Sequence, residues 1–340
     1  MENKAENFEE YKKERYEKLE LEFLKKSGEM LNKNFSANRK NFIDNLRKAI
    51  SDALKFQTDE KKICAYISIS FLNTSMFDFQ ETESNSSLFQ IDFYNADWFY
   101  GESWSRSRFS ADFLLEHWQK FIFQALDENY FVRSKISTVE IKSLFWETLD
   151  KLIYIYTCQA KYFANLIEYS DEFDELKKAE NFYITCGTYL DWSERIFGIL
   201  PEIDLLNLDA NEETTFRPVK NKIYRGKEFS DLNLRNCYFE DCLFDRFTFS
   251  DLILADAHFL RCRFTNSKFL NVKCPGADFF ECSFRDCEFE NCTSEPTSVD
   301  ANEYFANLRL YHCSLLNVNF TDCDFNNMNM LDCIEKNLEG

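Results

Sequence analysis

Residues 229–289 read FSDLNLRNCYFEDCLFDRFTFSDLILADAHFLRCRFTNSKFLNVKCPGADFFECSFRDCEF, and this stretch carries a strict five-residue repeat. A large residue stands at every fifth position, and with one exception it is Phe or Leu. The series is Phe229, Leu234, Phe239, Phe244, Phe249, Leu254, Phe259, Phe264, Phe269, Cys274, Phe279, Phe284 and Phe289. Neither the 3.6-residue period of an α-helix nor the two-residue period of a strand gives this spacing. A chain that turns a corner after each short step does give it, so the repeat predicts a coiled chain.

A second, mostly smaller residue precedes each large residue by two positions, and the residues between them are mostly polar. Each unit therefore offers two side chains to an interior and three to solvent. The same residue types return at intervals of twenty, which predicts four units per coil and coils that stack on one another. The predicted core columns are Phe239, Phe259 and Phe279; Phe244, Phe264 and Phe284; Phe249, Phe269 and Phe289; and Cys242, Cys262 and Cys282.

Units such as Cys237-Tyr238-Phe239 and Ala277-Asp278-Phe279 resemble those of the pentapeptide-repeat family, over residues 225–335. The family's unit is a small residue, Asp or Asn, Leu or Phe, and then two variable residues. The resemblance implies a right-handed quadrilateral β-helix, a pentapeptide-repeat solenoid, in the C-terminal third of the chain. Because the small position departs from Ala toward Cys, Leu, Val and Phe, we expect an interior rich in sulfur and aromatic rings.

The repeat is interrupted after Phe289 and resumes at Leu310, 21 residues later, which is one coil plus one residue. We interpret Thr293–Asn307 as an imperfect coil that carries an irregular loop near 293–307, followed by one more coil. A complete excursion of the chain between two stacked blocks is the alternative.

The composition limits the classes of function. The chain has 340 residues and a net charge of −19, whereas nucleic acids and anionic membranes are bound by basic surfaces. The charged N-terminus does not resemble a signal peptide, and no segment approaches the roughly 20 apolar residues that span a bilayer. Ten of the 13 cysteines lie in the repeats. We expect them to be reduced, buried thiols of a cytoplasmic protein, with disulfides along the Cys242 column as the alternative.

The first two hundred residues show other periods. They predict a mostly α-helical (α+β) domain over residues 1–205, followed by a linker over 206–224. Alternating residues predict a small β-hairpin near 63–94. Helices are predicted from a Ser36 cap to Leu54, after Ser110, from the capping box Ser137-Thr138-Val139-Glu140, over 172–187, and over Asp191–Ile199.

The segment between the predicted hairpin and the next helix is rich in large aromatic residues and arginine. Trp, Tyr and Arg are the residues most enriched at binding hot spots. An interaction surface is therefore predicted at Trp98, Tyr100, Trp104, Arg106 and Arg108. The alternative is that the rings fill the core beneath the hairpin while the arginines neutralise nearby acidic groups.

No motif predicts a catalytic, cofactor-binding or metal-binding site. Of the three histidines, His258 and His312 fall at outward positions of the repeats, and His117 lies beside Trp118 in a predicted helix. We therefore expect a non-enzymatic protein-interaction scaffold of the pentapeptide-repeat type, with an unidentified protein partner and no cofactor. Some members of the family mimic DNA, bind DNA gyrase and confer quinolone resistance. A DNA mimic that protects gyrase or topoisomerase is thus one alternative, and an enzyme housed in the N-terminal domain is the other.

Overall fold

The structure, a computed structural model, describes residues 8–57, 62–72, 88–97, 101–126, 137–208, 213–295, 308–325 and 328–336. The chain divides into two compact units, Met1–Phe197 and Gly198–Gly340. The first is a helical unit that also contains a sheet, and the second is built from parallel strands.

The N-terminal unit combines five α-helices with a five-stranded sheet in its described part. The helices are α1 (Glu17–Lys33), α2 (Phe35–Leu54), α3 (Trp118–Ala125), α4 (Thr138–Ala164) and α5 (Asp171–Glu175). The strands are β1 (Cys64–Phe71), β2 (Leu88–Tyr94), β3 (Ser105–Ser110), β4 (Lys178–Thr188) and β5 (Ser193–Ile199), in the order β3-β2-β1-β4-β5. β1 and β2 pair antiparallel as the predicted hairpin requires, while β1 and β4 pair in parallel.

Two helix N-termini are predicted from capping residues, at Ser137 and at Ser36, and only the first is confirmed. The Ser137 hydroxyl accepts a hydrogen bond from the Glu140 backbone N–H, and the Glu140 carboxylate accepts one from the Ser137 N–H, which confirms the capping box. The Ser36 cap is wrong. Helix α2 begins at Phe35, directly after the junction residue Asn34, so Ser36 lies inside the helix.

The helices predicted over 172–187 and 191–199 are also wrong. Only Asp171–Glu175 is helical there, and the rest forms strands β4 and β5. Residues of both faces of β4 are buried, which removes the alternation that marks a half-exposed strand. Its aromatic and β-branched residues favour a strand, and it pairs with β1 through Ile67↔Ile184 and Ile69↔Cys186. The helix predicted after Ser110 is delayed, because β3 ends at Ser110 and α3 begins at Trp118.

The C-terminal unit consists of short parallel strands in two sheets. The six-stranded sheet contains β6 (Pro218–Lys220), β9 (Tyr238–Glu240), β12 (His258–Leu260), β15 (Asp278–Phe280), β17 (Arg309–Tyr311) and β19 (Asn329–Leu331). The nine-stranded sheet contains β7 (Ile223–Arg225), β8 (Glu228–Ser230), β10 (Leu243–Asp245), β11 (Thr248–Ser250), β13 (Arg263–Thr265), β14 (Lys268–Leu270), β16 (Ser283–Glu290), β18 (Ser314–Thr321) and β20 (Ile334–Lys336). These solenoid-like sheets are consistent with a pentapeptide-repeat β-helix.

Residues twenty apart lie over one another, and their rings stack. Phe244 pairs with Phe264, with ring centroids 5.0 Å apart and planes within 6°. The next ring in this column, Phe284, lies 4.7 Å from Phe264. The other two phenylalanine columns stack at 4.3–4.5 Å. All nine rings are buried and belong to one hydrophobic cluster of the C-terminal unit, together with the Cys242 column.

A left-handed backbone conformation turns the chain at the end of almost every repeat unit. The residue two positions after the large one has a φ near +50° to +56° at most corners, and it is usually Asn or Asp. These are the non-glycine residues that tolerate this conformation best. The five-residue spacing thus encodes two inward side chains and one corner.

The interruption after Phe289 is an insertion into a coil and not an imperfect coil. Leu310 pairs with Phe279, and Phe320 pairs with Phe289. That second step is 31 residues instead of 20, so eleven extra residues separate the two series. The segment that contains the insertion includes residues 296–307, which lie outside the described part of the chain.

The solenoid-like strands also begin earlier than residue 225. β6 and β7 lie within the segment predicted as a linker, and Val219 and Tyr224 are buried in the C-terminal core cluster. Ile203 and Leu205 belong to that same cluster. At these positions the chain contributes side chains to the core but only partly follows the five-residue consensus.

Candidate interaction surfaces

The sequence-predicted surface is described in part, because Trp98 and Tyr100 lie outside the described residues. Trp104 directly precedes β3, and its ring packs against Phe93 with centroids 5.5 Å apart. Its indole N–H is buried, and within the described chain it has no hydrogen-bond partner. Arg106 and Arg108 lie two residues apart on β3 and therefore share one face of the sheet.

Both arginines bind polar groups directly across the strand pair. Arg106 Nε donates to Asp92 Oδ1 at 2.6 Å, and Arg108 Nε donates to Gln90 Oε1 at 3.0 Å. Gln90 Nε2 in turn donates to Asp92 Oδ2 at 2.7 Å. The hydrogen bond to Asp92 raises the pKa of Arg106 further above its usual range. Asp92 is 1% exposed, so this network holds a buried charge and attaches the edge strand β3.

These contacts are those of the structural alternative, in which the arginines neutralise a nearby acidic group. The binding role of Trp104, Arg106 and Arg108 stays a prediction. What the structure adds is that Arg106 cannot be removed without leaving the carboxylate of Asp92 without its cation.

A second surface, which the sequence reasoning missed, lies on the outer side of the six-stranded sheet. On each strand the central residue points inward, so the residue after it points outward. In register along the sheet, these outward residues are Lys220, Glu240, Leu260, Phe280, Tyr311 and Leu331. The last four form a continuous row that we call the apolar stripe. Phe280 is 38% exposed and Leu331 54% exposed, and Leu260 and Tyr311 are half-buried.

The outward rows of the nine-stranded sheet are different. Row neighbours there are mostly polar, as in Thr248, Lys268, Glu288 and Asn319. The outward Leu270 stands alone between Ser250 and Glu290. A run of four apolar residues on consecutive coils is therefore a particular feature of the six-stranded sheet.

Charged corner residues flank the apolar stripe on one side. In coil order they are Arg261, Glu281, His312 and Asp332, and each has a left-handed backbone. Arg261 forms hydrogen bonds with Asp241 and Glu240 at 2.7–2.9 Å. His312 packs edge-on against Phe280, with ring centroids 5.4 Å apart, and its Nδ1 lies 3.8 Å from Asp332 Oδ2. Arginine or histidine thus alternates with an acidic residue along this row.

A half-buried ion network flanks the apolar stripe on its other side and spans three coils. Asp278 accepts hydrogen bonds from His258, at 2.8 Å, and from Arg309, which also donates to the Gly276 carbonyl at 2.7 Å. Burial acts to raise the pKa of Asp278, but the hydrogen bonds and charges of His258 and Arg309 together outweigh it and hold that pKa below its usual range. Asp278 therefore stays ionised near neutral pH and fixes the strands beneath the apolar stripe.

A shallow cleft of about 650 Å³ lies on the N-terminal unit, between the residues around the start of α1 and helix α3. It is lined by Arg15, Leu19, Gln119, Lys120, Phe123 and Gln124. The side chain of Phe123 is 75% exposed. Sequence periodicity did not single out this site, because Phe123 lies on the outer face of a helix whose other apolar residues are buried.

All 13 cysteines are free thiols. In the Cys242 column, Cys262 Sγ donates to the Phe239 carbonyl at 3.5 Å and Cys282 Sγ to the Phe259 carbonyl at 3.3 Å. The thiols thus bind the backbone of the preceding coil.

Within the described residues no group of three or more His, Cys, Asp or Glu side chains is arranged to hold a metal ion. No helix in that part of the chain is both long and apolar enough to cross a membrane.

Residues 257–293 match the family model described as pentapeptide repeats (8 copies), which confirms the family resemblance of the C-terminal region. No curated protein sequence matches the chain. Among solved structures, similarity is found to QnrB1, a plasmid-mediated fluoroquinolone resistance protein. Two trypsin-treated variants of QnrB1 are 17% and 19% identical, with 41% and 39% of this chain and 89% and 86% of theirs covered, each at a TM-score of 0.17. Full-length QnrB1 is 16% identical, with 41% and 90% covered and a TM-score of 0.11. At these TM-scores the similarities support no conclusion about a partner or an activity.

Proposed function

We propose that this chain, whose C-terminal region carries pentapeptide repeats, is a non-enzymatic scaffold that binds a protein partner through the apolar stripe. We further propose that the C-terminal unit is a right-handed quadrilateral β-helix with four units per coil. The observation that carries the proposal is the continuous row Leu260, Phe280, Tyr311 and Leu331 on an outward sheet face. Contiguous exposed apolar surface bordered by polar residues is typical of protein-binding sites.

Rigidity supports this role. The apolar stripe lies on strands whose inner residues form stacked phenylalanine columns, with Phe239, Phe259 and Phe279 at 4.4–4.5 Å spacing. The Asp278 network joins three of these coils on the outer side. A surface held in this way loses little conformational entropy when a partner binds, which favours affinity.

The charge on the outward faces favours a scaffold over a DNA mimic. Arg261 is paired with Glu240 and Asp241, and the ammonium group of Lys268 lies 2.5 Å from the Glu288 carboxylate. Basic groups thus neutralise acidic ones from coil to coil. A DNA duplex instead presents a negative charge about every 1.7 Å along its axis, without basic groups between them.

The proposal is tested by affinity capture with variants of the full chain. Phe280→Asp places a charge in the middle of the apolar stripe, and Leu270→Asp is the matched control, an outward leucine on another face. We expect the wild type and Leu270→Asp to capture the same partner from a lysate of the source organism. The amount captured by Phe280→Asp is expected to be at least about tenfold lower. Thermal unfolding of each variant establishes that it is folded. Undiminished capture by a folded Phe280→Asp variant would refute the proposal.

A further inference from the structure

We infer that the partner seated on the apolar stripe is a second copy of this chain, packed face to face with its coils running in the opposite direction. This inference rests on the proposed function and names its partner. Homo-oligomers most often have two-fold symmetry, in which one surface contacts the same surface of the other copy. The apolar stripe and the rows beside it fit that requirement in one orientation.

The apolar residues match under such an operation. A two-fold axis parallel to the strands, passing between Phe280 and Tyr311, places each row over the same row of the second copy in reverse order. Phe280 then faces Tyr311 of the second copy, and Leu260 faces Leu331. Every member of the apolar stripe meets an apolar residue, and two aromatic pairs form at the centre.

The charged corner row matches under the same operation. Arg261 faces Asp332 of the second copy, and Glu281 faces His312, an imidazole that offers an N–H donor in either protonation state. Every opposed pair is therefore attractive, and each occurs twice because of the symmetry. These four side chains are all exposed, so they are accessible to a second copy.

The opposite orientation, with the coils of the two copies running in parallel, lacks this charge match. A two-fold axis along the apolar stripe would place each of its residues over the same residue of the second copy, such as Phe280 over Phe280. The corner rows of the two copies would then lie on opposite sides of the apolar stripe, so Arg261 would not face Asp332. Charge complementarity thus favours the antiparallel arrangement.

The size of the surface sets the expected affinity. Four strands at about 4.8 Å spacing give a contact region only about 15–20 Å long. Such a patch falls short of the roughly 1,200 Å² that specific, stable complexes bury. We therefore expect a reversible dimer whose population depends on concentration in the micromolar range or above.

Sedimentation velocity with charge-reversed variants tests the inference. Arg261→Glu places acidic groups opposite each other in a homodimer, and Asp332→Arg places basic groups opposite each other. We expect each variant alone to dimerise about tenfold more weakly than the wild type. An equimolar mixture of the two is expected to dimerise like the wild type, because both pairs between positions 261 and 332 have opposite charges in the mixed dimer. Lys268→Glu, on another face, serves as the control and is expected to behave like the wild type.

Several results would overturn the inference. One is a wild type that stays monomeric up to several hundred micromolar. Another is a mixture that associates no better than its components. Because Arg261 also binds Asp241 and Glu240 of its own chain, thermal unfolding of the Arg261→Glu variant is measured, and Asp332→Arg alone still has to weaken association. If the wild type is monomeric while Phe280→Asp still abolishes capture, the second-copy inference fails and the scaffold function stands. If capture is also unaffected, both fail.

Discussion

Replacing Phe264 by alanine is expected to lower the free energy of unfolding of the C-terminal unit by about 3–5 kcal/mol. The Phe264 ring is buried and stacked between Phe244 and Phe284, at 5.0 and 4.7 Å with planes within 6°. Backbone pairing on both sides fixes the neighbouring coils, so the structure cannot collapse into the space that the ring leaves. The cavity therefore remains, and its cost adds to the lost burial.

A denaturant titration of the full chain measures this effect, with Arg263→Ala as the control. Arg263 precedes Phe264 on the same strand but points outward and is exposed. Its replacement is expected to change stability by less than about 0.5 kcal/mol. Equal losses for the two variants would show that the assignment of inward and outward positions is wrong.

Replacing Arg106 by methionine is expected to destabilise the N-terminal unit by about 3 kcal/mol, at the lower end of the range for losing one partner of a buried ion pair. Asp92 is 1% exposed and receives its two hydrogen bonds from Arg106 and Gln90. Without the guanidinium, the buried carboxylate keeps only the amide donor of Gln90 among the residues that the structure describes. Arg106 itself is half-exposed, and this limits the loss.

The double variant Arg106→Met/Asp92→Asn distinguishes this structural role from a binding role. A neutral amide at position 92 removes the unpaired charge and still accepts from Gln90, so the double variant is expected to regain about 1 kcal/mol or more over Arg106→Met alone. Thermal and denaturant unfolding measure both. If Arg106→Met instead keeps wild-type stability and loses captured partner, Arg106 belongs to a binding surface and the structural role is refuted.

The sequence predicts the stacking in the C-terminal unit well because one residue type returns at one spacing. The phenylalanines occupy inward positions, and the Asn and Asp residues between them supply the left-handed corners, as at Asn266 and Asp251. Both signals act locally, within five residues, and each coil repeats them. Local agreement of this kind leaves few alternative structures for the chain to adopt.

The N-terminal unit was harder to predict because its strands depend on distant partners. β4 pairs with β1, which lies more than a hundred residues earlier in the chain. Because both faces of β4 carry buried residues, its sequence does not alternate between apolar and polar residues as that of a half-exposed strand does. By contrast, the capping box at Ser137 and Glu140 depends only on neighbouring residues, and it was predicted correctly.

The apolar stripe was missed for a reason that concerns register. Leu260 and Phe280 are twenty residues apart, but Tyr311 follows Phe280 by 31, because of the eleven inserted residues. The sequence spacing places Leu310 one coil beyond Phe289, whereas the structure places it over Phe279. With the first placement, the four residues of the apolar stripe do not form one row. Only the strand pairing shows which outward residues are neighbours.

The most direct measurement compares two adjacent phenylalanines in strand β15. Phe279 is 3% exposed and stacks on Phe259, whereas Phe280 is 38% exposed and lies in the apolar stripe. In denaturant titrations, Phe279→Ser is expected to lower the free energy of unfolding of the C-terminal unit by at least about 3 kcal/mol, while Phe280→Ser stays within about 1 kcal/mol of the wild type. Losses of similar size at both positions would contradict the register on which the core columns and the apolar stripe both depend.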